Sequence, residues 1–139
     1  MSGTETQEQR THGSMAAAIS RHVVRVVSEY TGRGPTKARS SIRDNVVVCV
    51  TVDNMTKGEH HLVAAGEGDA VVGIRRKFQT TMKEDLVGGI EMLTGRKVVS
   101  FMSDHDAEND HAVEVFVLDG APELDRSTMD GNGARPPSS

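Results

Sequence analysis

A chain of 139 residues with a formal net charge of −4 is the size of one domain and has no overall basic field to draw in phosphate backbones. Valine, alanine and methionine carry most of its apolar content, beside no tryptophan, one tyrosine and three phenylalanines. That scarcity argues against an aromatic-lined cofactor pocket and against a base-stacking nucleic-acid surface.

The polar opening, residues 1–13 (MSGTETQEQRTHG), has no apolar stretch of the kind a signal peptide needs. It is expected to be disordered, as is the Gly/Pro/Ser-rich end, residues 120–139. The folded unit is then residues 14–119. Ser14 offers an N-cap, and Met15, Ile19, Val23, Val26, Val27 and Tyr30 fall on one helical stripe. Arg21, Arg25, Ser28 and Glu29 face the other way. Gly32 supplies a stop, and Gly34-Pro35 prevents continuation. In the next segment Ala38, Ser40 and Ile42 alternate with Lys37, Arg39, Ser41 and Arg43, a half-buried strand. Asp44-Asn45 stands where a two-residue turn would stand, and Val46 to Val52 is a β-branched run suited to a central strand.

Thr56-Lys57-Gly58-Glu59 has the T-x-x-E form of a capping box, opening a short helix over about residues 57–65. Asp69 can cap a longer one. Val71, Ile74, Phe78, Met82, Leu86, Ile90 and Leu93 keep a four-then-three rhythm along it, with Gly95 as its terminator. Gly88-Gly89 costs this helix about 1–2 kcal/mol of propensity, which a close helix crossing would compensate. Strands follow at residues 97–103 and 111–118, joined by the acidic segment DHDAEND. The order α-β-β-α-α-β-β predicts an α+β fold, with a four-stranded, mainly antiparallel sheet and helices packed on one face. In the last strand Val113, Val115 and Val117 alternate with Glu114, Phe116 and Leu118. The parity expected here puts Phe116 and Leu118 on the face the helices leave open, where a second copy of the chain would cover them.

No catalytic constellation is visible: no Ser-His-Asp or Cys-His pairing follows from spacing, and no enzyme activity is expected. Cys49, the single cysteine, reads as a small buried hydrophobe in a reducing compartment. An EF-hand counted from Asp104 fails, because Asn109 and Val115 occupy the positions that need glycine and glutamate. The acidic turn with His105 and His111 reads as a solvated hairpin loop. His60 and His61, adjacent on a helix, diverge too far to share a metal. Neither a metal nor a cofactor is expected. The most suggestive loop is Gly32 to Arg39, where two glycines and the cations Arg33, Lys37 and Arg39 could hold a small anion. The plainer reading is a helix stop followed by a strand entry. Arg75-Arg76-Lys77 places cations at the start of the long helix, against its dipole, which favours a partner-facing role; a solvated face is the plainer reading.

Taken together, Gly32-Arg33-Gly34-Pro35, Thr94-Gly95-Arg96-Lys97-Val98 and Val115-Phe116-Val117-Leu118 resemble the MpsC-like family, a domain of unknown function, over about residues 15–119. The segment 54–59 departs from the family pattern, which more often has Leu-Thr and an alanine in place of Gly58. The resemblance implies the small soluble component of a cation-translocating, membrane-potential-generating system; related systems are linked to inorganic carbon uptake. It brings no catalytic residues with it. The reading that follows is a non-enzymatic accessory protein, cytoplasmic and peripheral to the membrane only through a partner. It would be a homodimer docking on a membrane transport subunit, with no membrane insertion of its own and no nucleic-acid partner. Arg33, Arg75, Arg76 and Arg96 are the expected polar contacts. The alternative is a small-anion or nucleotide sensor built on Arg33, Gly34 and Lys37, with Arg96 and Lys97 converging on the same loop.

Overall fold

The computed structural model describes residues 7–123; the expected disorder of residues 1–6 and 124–139 lies outside them. Seven elements follow the anticipated order: α1 (Gln7–Thr31), β1 (Lys37–Arg43), β2 (Val46–Val52), α2 (Lys57–Ala64), α3 (Gly68–Thr94), β3 (Val98–Asp106) and β4 (His111–Leu118). The four strands form one antiparallel sheet in the order β1-β2-β4-β3. Two hairpins thus meet along a central β2–β4 seam, with α1 over β1 and α3 over β3.

Helix α1 begins at Gln7, so Ser14 lies inside it rather than capping it, and residues 7–13 are helical. Gln7, Glu8, Gln9 and Arg10 are good helix formers, and extending an existing helix adds one hydrogen bond per residue fixed. Its expected stripe holds: Ile19, Val23, Val26 and Val27 are buried, with Met15 and Tyr30 packed beside them. Gly32 ends the helix at φ 81°, where a side chain would be strained. Asp44 takes the left-handed conformation in the first hairpin turn.

Helix α3 keeps Val71, Met82, Leu86 and Ile90 in the interior, but Ile74 and Leu93 are exposed and Arg75 is buried in place of Ile74. The reason lies in α2, whose Glu59 binds Arg75. At the other end of α3 the imidazole of His22 rests on Gly89, with Nε2 3.1 Å from the carbonyl oxygens of both Asp85 and Leu86. Carbonyls only accept, so Nε2 carries the proton. The glycine pair therefore does sit at a close helix crossing.

Strand β3 runs to Asp106, three residues beyond the expected end, which shortens the acidic connection to a four-residue turn. The facing of β4 is the reverse of the expectation. Phe116 and Leu118 lie under the helices, fully buried, while Val113, Val115 and Val117 point to the open face. Phe116 is the largest side chain on the strand, and its ring packs at 5.1 Å from that of Phe101. On that face Phe116 meets Phe101 across the β3–β4 pair, and the same parity carries Glu114 into the core. On the open face the registers align four rows across the sheet. They are Lys37-Val52-His111-Asp106, Arg39-Val50-Val113-Asp104, Ser41-Val48-Val115-Met102 and Arg43-Val46-Val117-Ser100.

Candidate functional site

The densest polar cluster gathers on the connection from β2 to α2, residues Asp53 to Thr56. Thr56 caps α2 as the T-x-x-E pattern predicts: its hydroxyl accepts from Glu59 N, and the Glu59 carboxylate accepts from Thr56 N at 2.8 Å. The same carboxylate takes a two-pronged contact from Arg75, with Nε donating to Oε2 at 2.9 Å and Nη2 to Oε1 at 2.6 Å. Arg75 Nη2 also donates to Asn54 O at 2.8 Å. Both side chains are buried. Burial pushes the Glu59 carboxyl up, but the bonds from Arg75 and Thr56 outweigh it and hold it below its usual value.

Two further groups grip this connection. Arg33 donates through Nη1 to the carbonyls of Asp53 and Met55, and its Nη2 pairs with the Asp53 carboxylate at 3.0 Å. Asp110, in the β3–β4 turn, accepts from Met55 N at 2.9 Å and from His105 Nε2 at 2.9 Å. Burial pushes its carboxyl up, but these donors outweigh it and hold it below the ordinary value. His105 and Asp110 are both buried, so the acidic segment is not the solvated loop expected of it. Three segments distant in sequence, carrying Arg33, Arg75 and Asp110, thereby converge on the backbone of Asp53, Asn54 and Met55.

Of the residues singled out in the sequence, Arg33 and Arg75 reach this cluster, yet each is already paired with a carboxylate and with backbone carbonyls. Arg75 is buried and cannot meet a partner, which corrects its expected role and also the plainer reading of a solvated face. Arg76 next to it is exposed. Gly34 packs against α1, where a Cβ would lie 3.2 Å from Ser28 Oγ and 3.4 Å from Val24 Cγ1, a tight fit. Lys37 stands exposed on the edge strand. Arg96 donates to Ala121 O, and the Lys97 amide donates to Asp119 Oδ1, both at the opposite end of the sheet. The length of β2, about 20 Å for seven residues, separates them from Arg33. The two Gly-Arg turns do not converge.

Sequence reasoning missed Asp53, His60 and Asp110, whose ligand atoms lie within 4.8 Å of one another. His60 Nε2 is 3.6 Å from Asp110 Oδ2. Two carboxylates and an imidazole are a chemically suitable donor set for a transition metal. Arg33, however, sits on the Asp53 carboxylate, and its charge opposes a cation there. No spacing rule could have found the trio, because it joins the end of β2, helix α2 and the β3–β4 turn.

Glu114 is buried with no charged partner among the described residues. Burial pushes its carboxyl up to about 7, and its Oε1 has no hydrogen-bond partner among the described residues. With His105, Thr51 and Arg75 it borders a cavity of about 20 Å³, room for about one water. Cys49 is buried beside it, and burial raises its thiol, which removes it as a nucleophile.

No helix among the described residues is long and apolar enough to cross a membrane. No solved structure matches the chain at a significant level. An uncharacterised Bacillus subtilis protein, YrhF, is 31% identical over 96 residues, which cover 66% of this chain and 76% of that one. The family model described as "Na+-translocating membrane potential-generating system (MpsC)" matches residues 11–120, from the second turn of α1 past the end of β4. The chain belongs to the MpsC family.

Proposed function

We propose that this protein is a non-enzymatic accessory subunit of a Na+-translocating, membrane-potential-generating system, held on the cytoplasmic side by a membrane-embedded partner. The observation that carries this reading is the family match over residues 11–120, which spans all seven elements rather than a fragment of them. The interior supports it. The buried charges are arranged for structure: Glu59 closes on Arg75, Asp110 on His105, and Cys49 is shielded. No acid, base and nucleophile face a common space among the described residues. In this reading ion translocation belongs to other subunits, and this one contributes contacts. Related systems linked to inorganic carbon uptake are a natural setting for it.

The docking contacts would come from the outer helical surface, where Arg76 and Arg21 are exposed and can meet an acidic cytoplasmic loop. The test is affinity capture of the full chain from its native host after gentle cross-linking, with membrane and soluble fractions analysed separately by mass spectrometry. A multispanning transport subunit in the membrane fraction, lost with Arg76→Glu, is the expected result. Recovery of the protein alone, from the soluble fraction, would overturn the reading.

A further inference from the structure

The face of the sheet away from the helices carries seven valines from the two central strands, Val46, Val48, Val50 and Val52 on β2 and Val113, Val115 and Val117 on β4. No element among the described residues covers them, and a contiguous apolar patch of this kind is uncommon on a solitary domain. The charges along its edges say what does. Strand β1 contributes Lys37, Arg39 and Arg43 to this face, and β3 contributes Asp104 and Asp106. The face is therefore apolar in the middle, basic along one edge and acidic along the other.

Two copies stacked through this face must be related by a two-fold axis lying between the sheets. If the axis ran across the strands, β1 would fall on its own copy, basic side chains on basic ones. If it runs along the strands, each of the four rows is turned end for end onto itself. Lys37 then faces Asp106 of the second copy, Arg39 faces Asp104, Val50 faces Val113, and Val48 faces Val115. Arg43, in the last row, faces Ser100 and meets no like charge. Each row is complementary to its own reverse.

We infer that a second copy of this chain covers the open sheet face. The two sheets pack face to face about a two-fold axis along the strands, with the valines interleaved and the Arg39–Asp104 pair closing both edges. Aligned sheets pack about 10 Å apart with strands within about 30°, which leaves the row pairing intact near the axis. The side chains that meet are β-branched and already fixed by the strands, so little rotamer freedom is lost on association.

The inference is independent of docking to a membrane partner, since the outer helical surface stays free on both copies. The test is sedimentation equilibrium on the full 15.0 kDa chain across micromolar to hundred-micromolar concentrations at low salt, with circular dichroism to confirm folding of every variant. A dimer is expected, abolished by Val115→Lys. Arg39→Asp and Asp104→Arg should each weaken it at least tenfold, and combining them should restore it to within about threefold, because the swapped row is again complementary. The charge variants keep the test sharp even if Val115→Lys disturbs the fold. A monomer throughout would overturn the inference. So would a dimer indifferent to Val115→Lys, or one strengthened by Arg39→Asp alone, the signature of the crosswise axis.

Discussion

Adjacent glycines in α3 should respond to the same substitution with opposite signs. In the middle of a helix, Gly→Ala gains about 1 kcal/mol of propensity. At Gly88 a new Cβ has nothing within 4 Å, so Gly88→Ala should stabilise the protein by about 0.5–1 kcal/mol. At Gly89 the same Cβ would lie 2.0 Å from His22 Cε1 and 2.1 Å from His22 Nε2. The ring must leave. It then gives up the contacts of Nε2 with Asp85 O and Leu86 O and opens the α1–α3 crossing. A lost buried hydrogen bond costs about 1 kcal/mol and overpacking about 1–3 kcal/mol. Set against the propensity gain, Gly89→Ala should destabilise by about 1–3 kcal/mol. Urea unfolding followed by circular dichroism measures both, at an unchanged m-value. In a His22→Ala background the Gly89→Ala penalty should vanish, a coupling a double-mutant cycle reads directly. If Gly89→Ala proves as stable as Gly88→Ala, the packing argument is refuted.

The remaining predictions concern the buried charges. Thr56→Ala removes half of the capping box and should cost about 1 kcal/mol. Glu59→Ala also strands the buried Arg75, and should cost about 3–5 kcal/mol in the same denaturation assay. Equal costs would mean that Arg75 finds another partner. For pH, the Glu114 carboxyl is raised from 4.5 to about 7 in the fold. The unfolded chain gives up this proton first, so stability falls as pH rises from about 4.5 to about 7 and levels above that. The loss is roughly 3 kcal/mol. Glu114→Gln should remove that slope, and a slope unchanged in the variant would clear Glu114 of causing it. Glu59 and Asp110 act in the opposite sense. Their carboxyls are held below their usual values, so their contribution is complete above about pH 4–5 and is lost as pH falls through the lowered values. Asp110→Asn should flatten the acid limb of the stability curve.

What could be read from residue order was whatever has a local cause. The capping box at Thr56, the stop at Gly32, the left-handed end at Gly95 and the turn at Asp44-Asn45 each depend on a few neighbouring residues, and each is present. The homologous pattern and the element order were legible for the same reason. Facing was not. In β4 both parities are apolar enough to be core, and the choice rested on Phe116 finding Phe101 on a strand that starts thirteen residues earlier in the chain than β4. Arg75 looked solvent-facing because its partner comes from another helix. The site was legible in part. Arg33 and Arg75 do meet at one connection, but the carboxylates that occupy them, and the trio Asp53, His60 and Asp110, come together only through tertiary folding.

The seam between β2 and β4 has a consequence for how the chain reaches this state. Each hairpin closes over a short turn and can form within microseconds. The seam instead pairs Val46 with Val117 and Val52 with His111, and closing it must overcome the entropy of the long intervening loop. Valines and Phe116 at the seam should therefore govern the folding rate, while residues within either hairpin's own pairing affect mainly how fast the protein unfolds. Until the seam closes, each hairpin exposes a bare valine-rich edge to any neighbouring chain, so concentration during synthesis matters more to this fold than its final stability suggests.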